Sequence, residues 1–180
     1  MSKAALFLID GFEEVEGITP VDILRRGGVD VQLVSLNEKT KEVISKHNVQ
    51  IMAEYMLEEW NADVDMVIIP GGTIAYLKHE AFLAFLQAYR ATGRRMAAIC
   101  AAPAVFGQLG FLEGKHAVCY PGMEHYLKGA ILKDANVVTD DVFTTSKGAG
   151  TAVPFALELL SLLEGKQVAE SVKSEFLAIV

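Results

Sequence analysis

The stretch Arg95-Met-Ala-Ala-Ile-Cys-Ala-Ala-Pro103 joins an apolar run of strand character to a helical pattern through a single thiol, Cys100. A sharp strand-to-helix turn pushes its side chain out of the sheet edge, and the N–H groups of the following helix point back toward it. Such donors favour negative charge, so the turn is suited to hold sulfur as thiolate. A buried core cysteine is the competing reading, since free cysteine is among the most buried residue types. The rest of the chain has to decide between them.

Working outward, the same alternation repeats in both directions. Strand-like runs stand at Ala4–Ile9, Val29–Leu36, Met66–Pro70, Arg95–Ile99, His116–Tyr120, Asn136–Thr139 and Val142–Ser146. Between them, Pro20–Arg26, Thr73–Thr92, Pro103–Leu109 and Gly150–Leu163 carry apolar residues at a spacing near 3.6. Strand, helix, strand with short Gly-rich joints predicts an α/β fold: a doubly wound, mostly parallel sheet with helices on both faces. Thr19-Pro20 with Asp22 predicts an N-cap and first-turn proline, and Gly27-Gly28 predicts the end of that helix. Asn37–Glu59 reads as a hairpin or surface excursion. Gln167–Phe176 reads equally as a final helix or as an arm on a neighbour.

Bulk properties narrow the function. A chain of 180 residues suits one domain, residues 1–180. Hydrophobic residues make up 52% and charged residues 22%, and the net charge is −7. Phosphate backbones demand clustered Lys and Arg, and only short pairs such as Arg25-Arg26 and Arg94-Arg95 occur, so a nucleic-acid partner is not expected. No run approaches the roughly 20 apolar residues of a membrane span, and Ala4–Ile9 lacks the pattern of an export signal, so a cytoplasmic location is expected. Two cysteines make no disulfide framework, which suits a reducing compartment where a thiol stays reactive. There is no Rossmann glycine fingerprint and no P-loop. His47, His79, His116 and His125 show no metal-binding spacing, so surface roles are the default for all four, and neither cofactor nor metal is expected.

Open α/β sheets bind ligands beyond the carboxyl ends of their strands. Four such loops are unusual: Asp10-Gly-Phe-Glu-Glu-Val-Glu16, Pro70-Gly71-Gly72-Thr73, the Cys100 turn, and Tyr120-Pro121-Gly122. Each has a plain structural reading beside the functional one. Glu13 and Glu14 can simply complement a helix dipole. Gly71-Gly72 can be a tight turn, and Tyr120 can be packing. Cys119, on the opposite strand face from Tyr120, reads as core rather than as a resolving thiol.

In combination these loops say more. Gly11-Phe-Glu-Glu-Val-Glu16, the run into Pro70-Gly-Gly72, Ala98-Ile-Cys-Ala-Ala-Pro103 and Thr144-Thr-Ser-Lys-Gly-Ala-Gly-Thr151 occur in this order and spacing. Together they closely resemble the ThiJ/PfpI family, in the branch of the Parkinsonism-associated protein and its bacterial relatives, from Lys3 to about Lys173. The resemblance implies a flavodoxin-like three-layer sandwich, a homodimer, and a reactive Cys100 partnered by Glu16. A carboxyl beside a thiolate is disfavoured as carboxylate, stays protonated and donates to sulfur. Gly71 and Gly72 then line the pocket, with the Gly72 and Ala101 N–H groups as oxyanion donors.

Departures from the family narrow the chemistry. Relatives with a peptidase-like dyad carry His directly after the nucleophile, where this chain has Ala101, so a protease loses its base. Tyr120 stands where the disease-associated protein has His, and a phenol is a poorer proton shuttle than an imidazole near neutral pH. Arg26 matches a family arginine at an anion-accepting pocket edge, or is an exposed helix-terminal cation. The implied activity is glyoxalase- or deglycase-type, cofactor-independent, on a small carbonyl substrate such as methylglyoxal. A redox sensor or holdase chaperone built on the same cysteine is the alternative. A thiamine-pathway phosphate protein has only Arg26 and Lys147 to recommend it.

Overall fold

The computed structural model describes residues 1–61 and 63–179. Its first strand, β1 (Lys3–Leu8), runs into α1 (Glu14–Arg26) and returns as β2 (Asp30–Ser35). An antiparallel hairpin, β3 (Glu42–Ile44) and β4 (Gln50–Met52), and a short β5 (Tyr55–Met56) follow. Next come β6 (Met66–Ile69), α2 (Glu80–Arg90), β7 (Arg95–Ile99), α3 (Pro103–Gln108) and β8 (His116–Ala117). The chain ends with β9 (Ile131–Leu132), β10 (Val137–Asp140), β11 (Phe143–Ser146), α4 (Ala152–Glu164) and α5 (Lys166–Glu175). The main sheet has the order β10-β11-β7-β6-β1-β2-β5. Every pair in it is parallel except β10–β11.

The central strands are buried on both faces, and their alternation divides two cores. Leu6, Leu8, Ile68 and Ile99 face Val21, Ile23 and Leu24 of α1 and Phe155, Leu159 and Leu160 of α4. Ala5, Phe7, Val67, Ile69 and Ala98 face Phe82 and Leu86 of α2 and Val105 and Phe106 of α3. Each fully buried phenylalanine contributes about 1.5–3 kcal/mol by leaving water. Helices α1 and α4 meet closely because Gly27 has no side chain: a Cβ there would lie 2.2 Å from Leu160 Cδ1. Among the described residues no helix is long and apolar enough to cross a membrane.

Several boundaries differ from those expected. Helix α1 starts six residues before Pro20, which lies inside it. Its N-cap is Glu13, whose carboxylate accepts from Glu16 N–H at 2.8 Å. Thr73–Thr92 divides into a 3-10 turn, Ala75–Lys78, and α2, with His79 capping Phe82 N–H through Nδ1. His79 Nε2 also lies 2.9 Å from the Leu36 carbonyl, so this half-buried histidine is structural rather than a surface group. His116–Tyr120 is not a strand of the main sheet. Only His116–Ala117 pairs, with β9, because Val118 N–H donates instead to Thr145 Oγ1 and Tyr120 N–H to the Cys100 carbonyl. Asn37–Glu59 resolves into the hairpin and edge strand β5, and Gln167–Phe176 into α5 packed on α4.

Candidate active site

The chain leaves β1 toward β2 on one side and returns to β6 on the other, so the topology switches between β1 and β6. The start of α1 and the loops that follow β6, β7 and β11 meet at this crevice, and they carry Glu16, Gly71-Gly72, Cys100 and Gly148.

Cys100 is a non-glycine residue in the left-handed region, with φ +65. Such a conformation costs of order 1–3 kcal/mol and persists where its surroundings over-determine it. Here Cys100 N–H donates to the Ser146 carbonyl at 2.9 Å, and its own carbonyl accepts from Tyr120 N–H at 2.8 Å. Pinned on both sides, the turn presents a partly exposed sulfur.

The partner carboxyl arrives from the start of α1. Glu16 is 1% exposed and its Oε2 accepts from Gly71 N–H at 2.8 Å. Glu13 N–H in turn donates to the Gly71 carbonyl at 3.0 Å, so the loop after β6 is clamped to the helix start. No side chain fits at Gly71, where a Cβ would lie 2.6 Å from Cys100 Cβ and 2.8 Å from Glu16 Oε2. Gly72 has φ +88, and a Cβ there would lie 2.4 Å from Glu13 N. Both glycines are therefore required for carboxyl and sulfur to be neighbours.

The electrostatics couple the pair. Burial pushes the Glu16 carboxyl up to about 7, against the lowering pull of its hydrogen bonds to the thiol and to Gly71 N–H. Burial and the Glu16 charge push the Cys100 thiol up to about 12, opposed by N–H groups of Gly72 and Ala101. One proton leaves the pair near neutrality, the second is held far above it, and between those limits sulfur and carboxyl share one proton. The Gly72 and Ala101 N–H groups, expected as donors to a substrate oxygen, lie near enough to the sulfur to lower its thiol against burial. Chemically the arrangement provides a nucleophile whose proton has an adjacent acceptor.

Tyr120 is half-exposed at the mouth. Its ring edge lies beside Gly148, a residue that the sequence places in a motif without marking it as part of the site. A Cβ at Gly148 would be 3.4 Å from Tyr120 Cδ2 and 3.8 Å from Glu16 Oε1. The Gly-Ala-Gly run after a strand end was the available signal.

Arg26 does not line this site. It lies at the other end of α1, about 15 Å from Glu16 at helical rise, paired with Asp22 at 3.0 Å and Glu175 at 2.9 Å and set over the Phe176 ring. Lys147 is paired with Asp134 at 2.7 Å. Cys119 is buried in the second core, and burial pushes its thiol up to about 11. Among the described residues, Glu13, Glu14 and His47 bring possible metal ligands within 4.8 Å of one another. Glu13 is occupied as the helix cap, Glu14 is paired with His47 at 2.8 Å, and the positive end of α1 opposes a cation there. A groove of about 630 Å³ between β10, α4 and α5 carries none of the site residues.

Known proteins share this architecture. The chain is 36% identical over 179 residues to Protein dj-1beta of Drosophila melanogaster, covering 96% of this chain and 95% of that protein. The crystal structure of Drosophila DJ-1beta superposes with a TM-score of 0.93 over the whole of both chains, at 34% identity. An oxidized DJ-1 of Toxoplasma gondii also gives 0.93, at 30% identity over the whole of both chains. The glutathione-independent glyoxalase DJR-1.2 of Caenorhabditis elegans is 32% identical over 175 residues, covering 94% of this chain and 93% of that protein. These neighbours share a flavodoxin-like α/β fold with the mostly parallel sheet described above. With the DJ-1/PfpI family matched across residues 2–162, the chain belongs to that family.

Proposed function

We propose that this chain is a cofactor-independent, cysteine-dependent enzyme that acts on reactive dicarbonyls such as methylglyoxal, or on their early protein adducts. The observation that carries the reading is the buried Glu16 carboxyl, poised near neutrality against the sulfur of a strained, partly exposed Cys100. The relative named as a glutathione-independent glyoxalase supports it.

The reaction follows from the pair. As Cys100 sulfur attacks the aldehyde carbon, its proton passes to the Glu16 carboxylate and on to the aldehyde oxygen, giving a hemithioacetal and leaving Glu16 as carboxylate again. Glu16 then removes the hydrogen on that carbon and returns a proton to the neighbouring carbon through an enediol, giving a lactoyl thioester. Water hydrolyses the thioester to lactate and restores the thiol, so one water is consumed per methylglyoxal and no electron carrier is needed. Incubation of methylglyoxal with wild type, Cys100→Ala and Glu16→Gln, with lactate measured, tests the reading. Lactate from wild type alone supports it, and equal lactate from all three overturns it.

The proposal includes a homodimer in the cytoplasm. Val15 and Ile18 of α1 and Ile44, Val49 and Met52 of the β3–β4 hairpin are exposed. The hairpin is tied to the helix start through Gly11 N–H to the Ile44 carbonyl and Lys46 N–H to the Phe12 carbonyl. These apolar side chains thus stand on two joined elements, as an interface between copies requires. A monomer in sedimentation at micromolar concentration would refute the dimer.

The oxidized relative from Toxoplasma favours one second reading, a peroxide sensor or holdase. Two equivalents of hydrogen peroxide, each reduced to water, would take the Cys100 thiol through sulfenic to sulfinic acid. Peptide mass spectrometry after mild peroxide separates the readings: a sensor gains client binding as Cys100 oxidises ahead of Cys119, whereas a catalyst only loses turnover.

A further inference from the structure

The run Thr144-Thr145-Ser146 forms most of β11, and the catalytic pair leaves it unexplained. β11 lies between β10 and β7, where a strand covered on both faces is normally a near-continuous apolar run. Here three successive hydroxyl residues are buried. A buried hydroxyl costs free energy unless it is hydrogen-bonded, so its partner tells what holds it there. Thr144 Oγ1 lies 3.1 Å from Thr139 Oγ1, and Ser146 Oγ donates to the Asn136 carbonyl at 2.8 Å. Both tie β11 to β10 or to the residue before it. Thr145, on the opposite face by alternation, instead accepts from Val118 N–H at 3.0 Å.

That bond leads to the nucleophile. Val118 belongs to the segment that leaves β8, and two residues further on Tyr120 N–H donates to the Cys100 carbonyl at 2.8 Å. The turn at Cys100 is therefore held from two sides by unlike means. Its N–H is bonded to the Ser146 carbonyl at 2.9 Å, a main-chain bond that extends the β7–β11 ladder. Its carbonyl is bonded to a segment that pairs with no strand among the described residues, and the Thr145 side chain fixes that segment to the sheet. Val118 is buried, so loss of the acceptor leaves its N–H unmatched rather than solvated.

We propose that Thr145 is a positioning residue for Cys100: its hydroxyl holds Val118 N–H, the segment so fixed presents Tyr120 N–H to the Cys100 carbonyl, and the left-handed turn keeps the sulfur beside Glu16. The inference rests on the cysteine-dependent reading above and adds to it a residue that acts through the backbone alone. Without the hydroxyl the segment is free to shift, and the φ of +65 at Cys100 loses support on one of its two sides. A small displacement of a reacting group is enough to cost rate.

Alkylation of Cys100 by iodoacetamide, followed from pH 5 to 9 and assigned by peptide mapping, reads the turn without turnover. Thr145→Val removes the acceptor at nearly the same shape, and Thr145→Ser keeps it. Thr144→Val makes the same change one residue away, where the hydroxyl is bonded to Thr139 instead, and controls for a general loss of packing. Thr145→Val is expected to slow alkylation at pH 7.5 by about 10-fold and to replace the bend near 7 by a rate that climbs into alkaline solution, because the sulfur no longer shares its proton with Glu16. Thr145→Ser and Thr144→Val are expected to stay within about twofold of wild type and to keep the bend. A wild-type rate and bend in Thr145→Val overturn the proposal, as does an equal loss in Thr144→Val or no recovery in Thr145→Ser. Should Thr145→Val not fold, Thr145→Ala removes the same acceptor without setting a methyl against Val118 N–H and carries the same expectations. Lactate formation from methylglyoxal by wild type separates the two claims. A bend lost in Thr145→Val without lactate from wild type keeps the positioning role and sinks the enzyme, and lactate with an unmoved bend does the reverse.

Discussion

Cys100 and Cys119 are the two thiols of this chain, and a hydrogen bond from Tyr120 N–H to the Cys100 carbonyl joins their neighbourhoods. Burial raises both thiols, so acidity does not separate them. Geometry does. Cys119 is 5% exposed among core side chains, and the one charge that acts on it, from Glu124, also raises it. Cys100 is partly exposed, strained at φ +65, and set beside a carboxyl that titrates near 7. The contrast between the two thiols thus lies in exposure and in a carboxyl that can share a proton with one of them.

The largest test of that contrast is turnover. Cys100→Ala is expected to lower lactate formation from methylglyoxal by about 10³-fold or more, since no covalent intermediate forms without the sulfur. Cys119→Ala is expected to stay within about twofold of wild type, because nothing in its surroundings takes part. Comparable losses in both variants would break the contrast. Glu16→Gln comes next, with a loss of about 10²–10⁴-fold, the span of one general acid–base group. Retention of activity in that variant, measured at pH 7.5, would return the explanation to the thiol alone.

A pH profile sharpens the comparison further. As pH rises toward about 7, the Glu16–Cys100 pair loses its first proton and gains a base, so Cys100 alkylation by iodoacetamide should rise about tenfold per unit and then flatten. In Glu16→Gln the bend near 7 should vanish, and the rate should go on rising into alkaline solution. The Cys119 adduct, followed by peptide mapping in the same samples, should show no bend near 7 in either protein. A plateau for Cys100 already reached at pH 5 would place the pair's first proton loss well below neutrality.

Much of this arrangement was legible in the sequence, and the misses share a cause. Strand ends at Ile69 and Ile99 were readable because apolar runs stop abruptly at Gly71 and Cys100, and the alternation of buried strands with helical patterns gave the α/β class. Cys100 follows from its place after a strand end, whereas Glu16 is singled out from Glu13 and Glu14 only by the resemblance to the family. Of the two readings of Arg26, the pocket edge that the resemblance implies and an exposed helix-terminal cation, this chain shows the second. The capping carboxylate of Glu13 sets the start of α1 at Glu14, and Arg26 at the far end. His116–Tyr120 looked like a sheet strand since its composition suits one. Its hydrogen bonds go to Thr145 and Cys100 instead, and composition carries no record of such partners. Gly148 escaped because nothing in its letter tells that the loop after β11 comes beside Glu16 and Tyr120.

The smallest expected effect lies in stability, where the two thiol regions should differ in kind. Cys119→Ala removes a buried sulfur from a packed core and should cost about 1 kcal/mol, evenly from pH 5 to 8. At the site the cost is electrostatic. Glu16 is raised from 4.5 to about 7 on folding, so below about 4.5 it is neutral in both states and carries no penalty. As pH climbs from there to about 7, the unfolded carboxyl ionises first, and the folded state loses stability by up to about 3 kcal/mol. Above 7 both states are ionised and the difference stops growing. Urea denaturation of wild type and Glu16→Gln should therefore yield a gap that widens in favour of the variant between pH 4.5 and 7 and then holds constant. A gap that does not move with pH would mean that the carboxyl is solvated in the folded protein, and with it would go the shared proton on which the difference between the two cysteines depends.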